Sequence, residues 1–428
     1  MRDNLCVTDI IDELQWRGLI ALSTDLDSLR ADFARGPVTY YCGFDPTAPS
    51  LHFGHLVQLV TMRRLQNAGN FPLPLVGGAT GLIGDPNPGT ERTLNAPDVV
   101  ASWVDLLKDQ IAPILDFEGP FAARMVNNLD WTASLPAIDF LRDIGKHFRV
   151  NTMVRKDAVS ARMNSDIGIS YTEFSYQILQ SLDFLELYRR YGCRLQIGGS
   201  DQWGNLTAGT DLIHRVEGAS VHLLATPLIN DSAGNKIGKS TGGGSVWLSP
   251  ELTSPYAFYQ YFVNVEDSSV SQLLRTLTFL QRDEIVELEN ETAEHPAARA
   301  GQRRLAQEVT RMVHGDRETA QVIAASQALF GRGSLSELAP STLAAALGEA
   351  GLVTVTGKLP AAAELLKDSG LVASMNEARR VIAEGGAYVN NVRVTDPEQT
   401  VDPSDLLHGK WLVVRRGKRT IAGVELAR

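Results

Sequence analysis

Apolar positions along this chain alternate between two spacings. Val38-Thr39-Tyr40-Tyr41-Cys42 is a short run of strand length, while Gly54 to Gln66 carries Leu56, Leu59, Val60 and Leu65 near helical spacing. Pro72 to Val76 reads as a second strand ending in Gly77-Gly78, residues 95–115 as a helix, and Ala122 to Asn127 as a third strand. Glu173 to Arg190 predicts a long helix, Arg194 to Ile197 a strand ending in Gly198-Gly199, Asp201 to Val216 a helix and Val221 to Ala225 a last strand. Alternation from about residue 36 to 225 predicts a parallel sheet with helices on both faces. Glycines at strand ends mark where a ligand crevice should open.

The alternation is interrupted between about 128 and 170, which reads as an insertion with Pro136 and several basic residues. From about 247 to 330 the pattern turns helical, with a start signal at Ser254-Pro255. Residues 331–357 are rich in Gly, Ser, Ala and Thr and read as a linker. The expected organisation is an α/β, Rossmann-like parallel-sheet domain over residues 1–246, carrying the insertion and a mobile lysine loop at 231–245. A helical domain at 247–330, the linker, and a small α+β domain at 358–428 follow.

Composition narrows the class. The 428 residues carry 40 Lys+Arg against 50 Asp+Glu, a net charge of −10, so any RNA contact must come from a local basic cluster rather than from mean charge. Such a cluster closes the chain: Lys410, Arg415, Arg416, Lys418, Arg419 and Arg428, after the apolar Trp411-Leu412-Val413-Val414. Phosphate contact is one reading of it, and a solvated charge run is the other. Cys6, Cys42 and Cys193 are scattered and in no CxxC spacing, which argues for a reducing compartment and against a zinc site. The start of the chain is acidic, with Asp3, Asp9, Asp12 and Glu13, and no apolar run is long enough to span a membrane. A cytoplasmic protein with no membrane or DNA partner is expected.

Two motifs carry candidate chemistry. His52-Phe53-Gly54-His55 follows a strand and opens a helix, placing two imidazoles where an anion is welcome. Two incidental histidines are the alternative; a metal pair lacks a nearby third ligand. Gly54 lets a ligand or another backbone approach closely. Lys236-Ile237-Gly238-Lys239-Ser240 lies in a glycine-rich segment. Its spacing Gly234-x-x-x-Gly238-Lys239-Ser240 is one residue short of a phosphate loop, and Thr241-Gly242-Gly243-Gly244 is no helix start, so that reading fails. A mobile loop closing over phosphates fits better, against a solvated lysine loop. Cationic or hydrogen-bonding groups at both ends of a triphosphate suit attack on the α-phosphate of ATP.

Three further stretches look like crevice walls. Gly77 to Pro86 follows a strand, its small residues allowing contact with a flat ligand and Asp85 standing at the rim, or it is a tight structural turn. Tyr176, Gln180 and Asp183 are spaced four and three, striping one face of an apolar helix, which is either a solvated face or a set facing a polar ligand. Gly198 to Asn205 joins a strand to a helix, with Ser200 or Asp201 a possible cap and the double glycine leaving room for a ribose.

Taken in order, these pieces resemble the bacterial-type tyrosyl-tRNA synthetases, class I aminoacyl-tRNA synthetases, over essentially the whole chain. The residues that carry the resemblance are Tyr40 to Thr47, His52 to His55, Val76 to Pro86, Tyr171 to Tyr176, Gln196 to Asn205 and Lys236 to Ser240. The tail from Leu359 to Arg419, with Ser374 to Arg380 and Gly385 to Asn390 at its core, is similar to an RNA-binding module shared with a small-subunit ribosomal protein.

The resemblance implies a Rossmann-like catalytic domain, an anticodon-side helical domain, and the following roles. His52, His55, Lys236, Lys239 and Ser240 would be catalytic. Tyr41 and Asp183 would bind the substrate phenol, and Tyr176, Gln180 and Asp85 its ammonium. Cys42, Gly43, Asp45, Thr47, Gly54, Gly199, Asp201 and Gln202 would surround the carboxylate, ATP and adenylate. Where the family often has lysines after the glycine-rich turn, this chain has Asn87 to Arg92, leaving Arg92 as the mobile cation. Arg415, Arg416, Lys418 and Arg419 would meet tRNA. ATP with Mg²⁺, L-tyrosine, tRNA(Tyr) and a second copy in a homodimer are the implied partners, and no bound metal is expected in the protein itself. A tryptophanyl-tRNA synthetase, a small-metabolite adenylyltransferase and a silent RNA-binding protein are the competing readings.

Overall fold

The computed structural model describes residues 9–86, 94–166, 168–229, 245–357, 359–418 and 420–427. Two compact units result, Met1–Leu252 with Glu266–Gly301, and Thr253–Val265 with Gln302–Arg428.

The first unit is built on a six-stranded sheet of β1 (Leu22–Ser23), β2 (Thr39–Phe44), β3 (Phe71–Val76), β4 (Val126–Asn127), β5 (Leu195–Gly199) and β6 (His222–Thr226). The order is β1-β6-β5-β2-β3-β4, parallel throughout except that β1 runs antiparallel to β6. Every residue of β6 is buried, as is β3 beyond its first residue, because helices cover both faces. The expected third strand is shorter than its apolar run: only Val126 and Asn127 pair.

Chain order positions the site. From β2 the chain moves outward to β3 and β4, then returns to lay β5 and β6 on the other side of β2. The reversal between β2 and β5 opens a crevice at their C-terminal ends. Helix Phe53–Asn67 leaves β2 there, helix Trp203–Glu217 leaves β5, and helix Tyr171–Tyr191 packs on the latter. Ser170 caps Tyr171–Tyr191 by accepting from Glu173 N–H at 3.2 Å, and Gly192 ends it at φ 61°.

The insertion is a string of short helical turns rather than a separate body. Its helix Asp157–Met163 is tied to the long helix by Arg162, whose guanidinium meets the Glu173 carboxylate in a paired contact of 3.1 and 2.9 Å. Both side chains are almost wholly buried.

The second unit holds helices Pro255–Val263 and Pro340–Ala350, most of the helical stretch Ala300–Ala328, which is broken at Gly315, and a second sheet. That sheet comprises β7 (Leu352–Thr356), β8 (Ala387–Val389), β9 (Val392–Arg393), β10 (Trp411–Arg416) and β11 (Thr420–Ala427), in the order β7-β11-β10-β8-β9. Two expected boundaries need correction. The helical stretch from 247 onward is divided between the two units. Residues 331–357 are not a bare linker: Leu343, Ala346 and Leu347 are buried on a helix, and β7 pairs in parallel with β11.

Candidate active site

The histidine motif forms its own helix start. The His52 ring accepts the Gly54 N–H at Nδ1 (3.0 Å), and the His55 ring accepts the His52 N–H at Nδ1 (3.1 Å), a reciprocal cap made of imidazoles. The rings stack with centroids 4.0 Å apart. A ring nitrogen that accepts a bond carries no proton, so both rings are neutral and each keeps its proton on Nε2. Burial, and then His52, push the His55 imidazole down to about 3. Gly54 leaves room for the His52 ring, since a Cβ there would lie 2.8 Å from His52 Cε1 and the ring would have to shift.

The segment after the lysine loop meets this motif directly. Phe53 N–H donates to Val246 O at 2.9 Å, Leu248 N–H to Leu51 O at 2.9 Å, and His52 bridges to Trp247. Leu228, Ile229 and Ser245, the flanks of that loop, line the crevice. Lys236, Lys239 and Ser240 lie outside the described residues, as do Arg92 and Arg419.

The crevice holds about 500 Å³ and is lined by residues of the three walls expected from sequence, among them Asp85, Tyr176 and Gln202, and by Tyr41, Asp45 and His52. At its inner end the Asp183 carboxylate accepts from Trp131 Nε1 at 2.9 Å and from Asn128 Nδ2 at 3.0 Å. Burial pushes this carboxyl up to about 8, against the pull of those two donors. Tyr41 lies beside it, ring tilted on Phe184 at 5.1 Å, its hydroxyl buried with no hydrogen-bond partner. Gln180 Oε1 and Gln196 Oε1 are likewise buried and bare. Buried polar atoms without partners are costly in a native protein unless a polar ligand completes them.

A second network lies along the polar stripe. Tyr176 donates its hydroxyl to Asp45 Oδ2 at 2.6 Å, and Thr80 donates to Asp45 Oδ1 at 2.6 Å. Asn128 joins the two networks, donating also to Thr80 Oγ1 at 2.9 Å. At the rim, Gln202 and Asn205 hold the Asp85 carboxylate at 3.0 and 3.1 Å. The glycines of the turn serve packing: a Cβ on Gly77 would meet Asp45 Oδ1 at 2.0 Å, and one on Gly78 would meet Asn127 Oδ1 at 2.4 Å. These neighbours within the protein demand small residues at the turn. Cys42, Gly43, Thr47, Gly54, Gly199 and Asp201 also line the crevice, and burial pushes the Cys42 thiol up to about 12.

Asn128 and Trp131 escaped the sequence reading, while Thr80 and Asn205 lay within two of the expected walls without a role of their own. The first two sit at the start of the insertion, where no periodicity says which way a side chain faces.

The tail corrects one expectation outright. Arg415 is buried, its guanidinium 4.3 Å from the ring centroid of Tyr388, its cross-strand partner. Its place in the β10 core run keeps it from presenting charge to a phosphate. Arg416 donates to Leu371 O and pairs with Glu377, both at 2.9 Å, while Lys418 is exposed.

Comparison with known proteins bears on this geometry. Residues 34–331 match the model of the tRNA synthetases class I (W and Y) family, and residues 345–422 match that of the tyrosine–tRNA ligase SYY-like C-terminal domain. A tyrosine–tRNA ligase of Streptomyces avermitilis is 64% identical over 421 residues, covering 98% of this chain and 99% of that one. One from Acidothermus cellulolyticus is 60% identical, covering 98% and 100%. A C-terminally truncated mitochondrial tyrosyl-tRNA synthetase of Coccidioides posadasii superposes with a TM-score of 0.65 at 30% identity, over 74% of this chain and 91% of that one. A tryptophanyl-tRNA synthetase of Encephalitozoon cuniculi shares the fold at 12% identity and a TM-score of 0.55, over 78% of this chain and 89% of that one.

Proposed function

The chain belongs to the class I tRNA synthetases (W and Y) and ligates tyrosine to tRNA with ATP, and we propose that the crevice between β2 and β5 is where tyrosine and ATP are first joined. The observation that carries this reading is the bare, buried Tyr41 hydroxyl beside Asp183. A phenol between the two would give Tyr41 its missing partner and donate to the carboxylate. Phenylalanine would leave the Tyr41 hydroxyl bare and offer Asp183 no donor, a rule for which tyrosyl-tRNA synthetases are the standing example.

In this arrangement Asp85, Tyr176 and Gln180 face the ammonium. Cys42, Gly43, Asp45, Thr47, Gly54, Gly199, Asp201 and Gln202 surround the carboxylate, the ribose and the phosphates. The tyrosine carboxylate attacks the α-phosphorus in line; a P–O bond forms as the bond to the pyrophosphate oxygen breaks. The nucleophile is already ionised, so no general base is needed, and catalysis is positioning plus stabilisation of developing charge. His52 and His55 act as neutral donors through Nε2–H, at a helix N-terminus that itself favours the anion. Lys236, Lys239 and Arg92 offset the charge on the leaving pyrophosphate, and Ser240 donates a hydrogen bond to it. Mg²⁺ would travel with the ATP phosphates and share their charge. A ribose hydroxyl at the 3′ end of tRNA(Tyr) then attacks the adenylate carbonyl and AMP leaves. Lys418 and Arg416 remain as RNA contacts on the tail.

A homodimer in the cytoplasm completes the proposal. The insertion exposes Ile138 at 70% and Val150 at 63%, and the long helix that follows it exposes Tyr171 at 67%, apolar surface that a second copy would cover. Among the described residues no helix is long and apolar enough to cross a membrane. Tyrosine-dependent ATP–pyrophosphate exchange tests the reaction, and exchange with tryptophan instead would overturn the choice of substrate. Sedimentation of a Tyr171→Glu variant tests the dimer; an unaltered mass would place the interface elsewhere.

A further inference from the structure

The insertion sends one side chain to the back of the crevice wall. Lys156 donates from Nζ to the carbonyl of Gly204, 48 residues away in sequence. Gly204 is the second residue of helix Trp203–Glu217 and stands between Gln202 and Asn205, both of which donate to Asp85. A Cβ on Gly204 would lie 3.2 Å from Lys156 Cδ and 3.5 Å from both Cε and Nζ. The bare glycine is what lets the lysine stem lie flat on the turn.

This is an unfavourable place for an ammonium. A helix N-terminus repels a cation, and partial burial strips water from it. Burial pushes the Lys156 ammonium down to about 8, while Asp211 and Asp85 pull it back. Its larger attraction is to Asp211 on that same helix, and its attraction to Asp85 links it to the crevice as well. Thr207 Oγ1 also donates to Gly204 O, at 3.1 Å, so the carbonyl is held from inside its own helix as well as from the insertion.

We propose that Lys156 is a positioning residue for adenylate formation: its bond to Gly204 fixes the turn Ser200–Gly204, and through Gln202 and Asn205 it sets the carboxylate of Asp85. The proposal rests on the crevice being the tyrosine and ATP site.

The test is ATP–pyrophosphate exchange by the full-length protein without tRNA. Lys156→Met keeps the stem and removes the donor; Lys156→Arg restores a donor; Gly204→Ala keeps the amine and pushes the stem away. In Lys156→Met and Gly204→Ala the KM values for tyrosine and ATP should rise about tenfold, with kcat per titrated active site within about twofold and the melting temperature little changed. Lys156→Arg should recover most of the affinity. A reduced fraction of active sites with unchanged KM would make Lys156 merely structural and overturn the proposal. Unchanged exchange with a defect confined to tRNA charging would overturn it too, by assigning Lys156 to RNA. If the unmodified protein shows no tyrosine-dependent exchange, the reading of the crevice itself fails, a result distinct from either.

Discussion

The backbone N–H of His52 donates to Nδ1 of His55 at 3.1 Å. That bond fixes the tautomer of His55 and leaves Nε2–H as its free donor, so in the proposed reaction the histidine pair would meet the triphosphate as neutral donors on a helix dipole rather than as a cation pair. Removing one donor aimed at developing charge costs about 10²–10³ in rate. His55→Ala should therefore slow single-turnover adenylate formation by about that factor, with tyrosine affinity by equilibrium dialysis nearly unchanged. An unaltered rate would remove His55 from the phosphate site.

The same burial has a consequence for stability. His55 titrates near 3 in the folded chain against about 6.5 when unfolded. A depressed pKa means the unfolded chain binds the extra proton, so the stabilising contribution is present above about pH 6.5 and is lost as pH falls toward 3. The melting temperature of His55→Asn should fall less steeply between pH 6.5 and pH 4 than that of the parent. Parallel curves for the two proteins would show that the ring is not held neutral.

At the other end of the crevice Asp183 titrates near 8, raised by burial. A phenol hydroxyl that donates to this carboxyl prefers its ionised form, so tyrosine affinity should rise as pH goes from 6 to 8. Asp45 and Glu186 are the neighbours whose charges oppose ionisation. The rise should vanish in Asp183→Asn, which should also lose most of its preference for tyrosine over phenylalanine. Calorimetric titration across that pH range decides it; a flat profile in the parent protein would mean that Asp183 binds tyrosine already ionised.

The alternating pattern was enough to find β2, β3, β5 and β6 and the helices that carry the polar stripe, because buried parallel strands and their covering helices leave strong local periods. What it missed lies in pairs distant in sequence. Gly77 and Gly78 were rightly located at a strand end, but their cause is Asp45 and Asn127 folding back over them. Asn128 and Trp131 reach Asp183 from 55 and 52 residues away, and nothing local announces that. Residues 340–356 looked like linker because Ala, Gly, Ser and Thr dominate there. Their order comes from Leu343 and Leu347 finding a core and from β7 finding β11.

Gly77 gives a direct test of those long-range contacts. In Gly77→Ala the new methyl would lie 2.0 Å from Asp45 Oδ1 and 2.3 Å from Thr80 Oγ1, so Asp45 must move and its 2.6 Å bond from Tyr176 breaks. Overpacking of this kind costs about 1–3 kcal/mol. A lower melting temperature together with at least a tenfold loss of tyrosine affinity is expected. Loss of stability with intact affinity would separate Asp45 from the substrate site.

Arg415 is the point where tail charge and tail structure part. Its guanidinium stacks on Tyr388 at 4.3 Å across the β8–β10 pair, and the residue is 8% exposed. A desolvated stack of this type contributes about 0.5–2 kcal/mol, and Lys cannot replace the planar fork that makes it. Arg415→Lys and Arg415→Ala should both lower the stability of the second unit, and a double-mutant cycle with Tyr388→Leu should give a coupling within that range. Lys418→Ala, at an exposed position, should leave the melting temperature alone and weaken tRNA binding, with a shallower salt dependence of affinity. Should Arg415→Ala instead weaken tRNA binding at unchanged stability, the arginine would be a phosphate ligand and its stack on Tyr388 incidental.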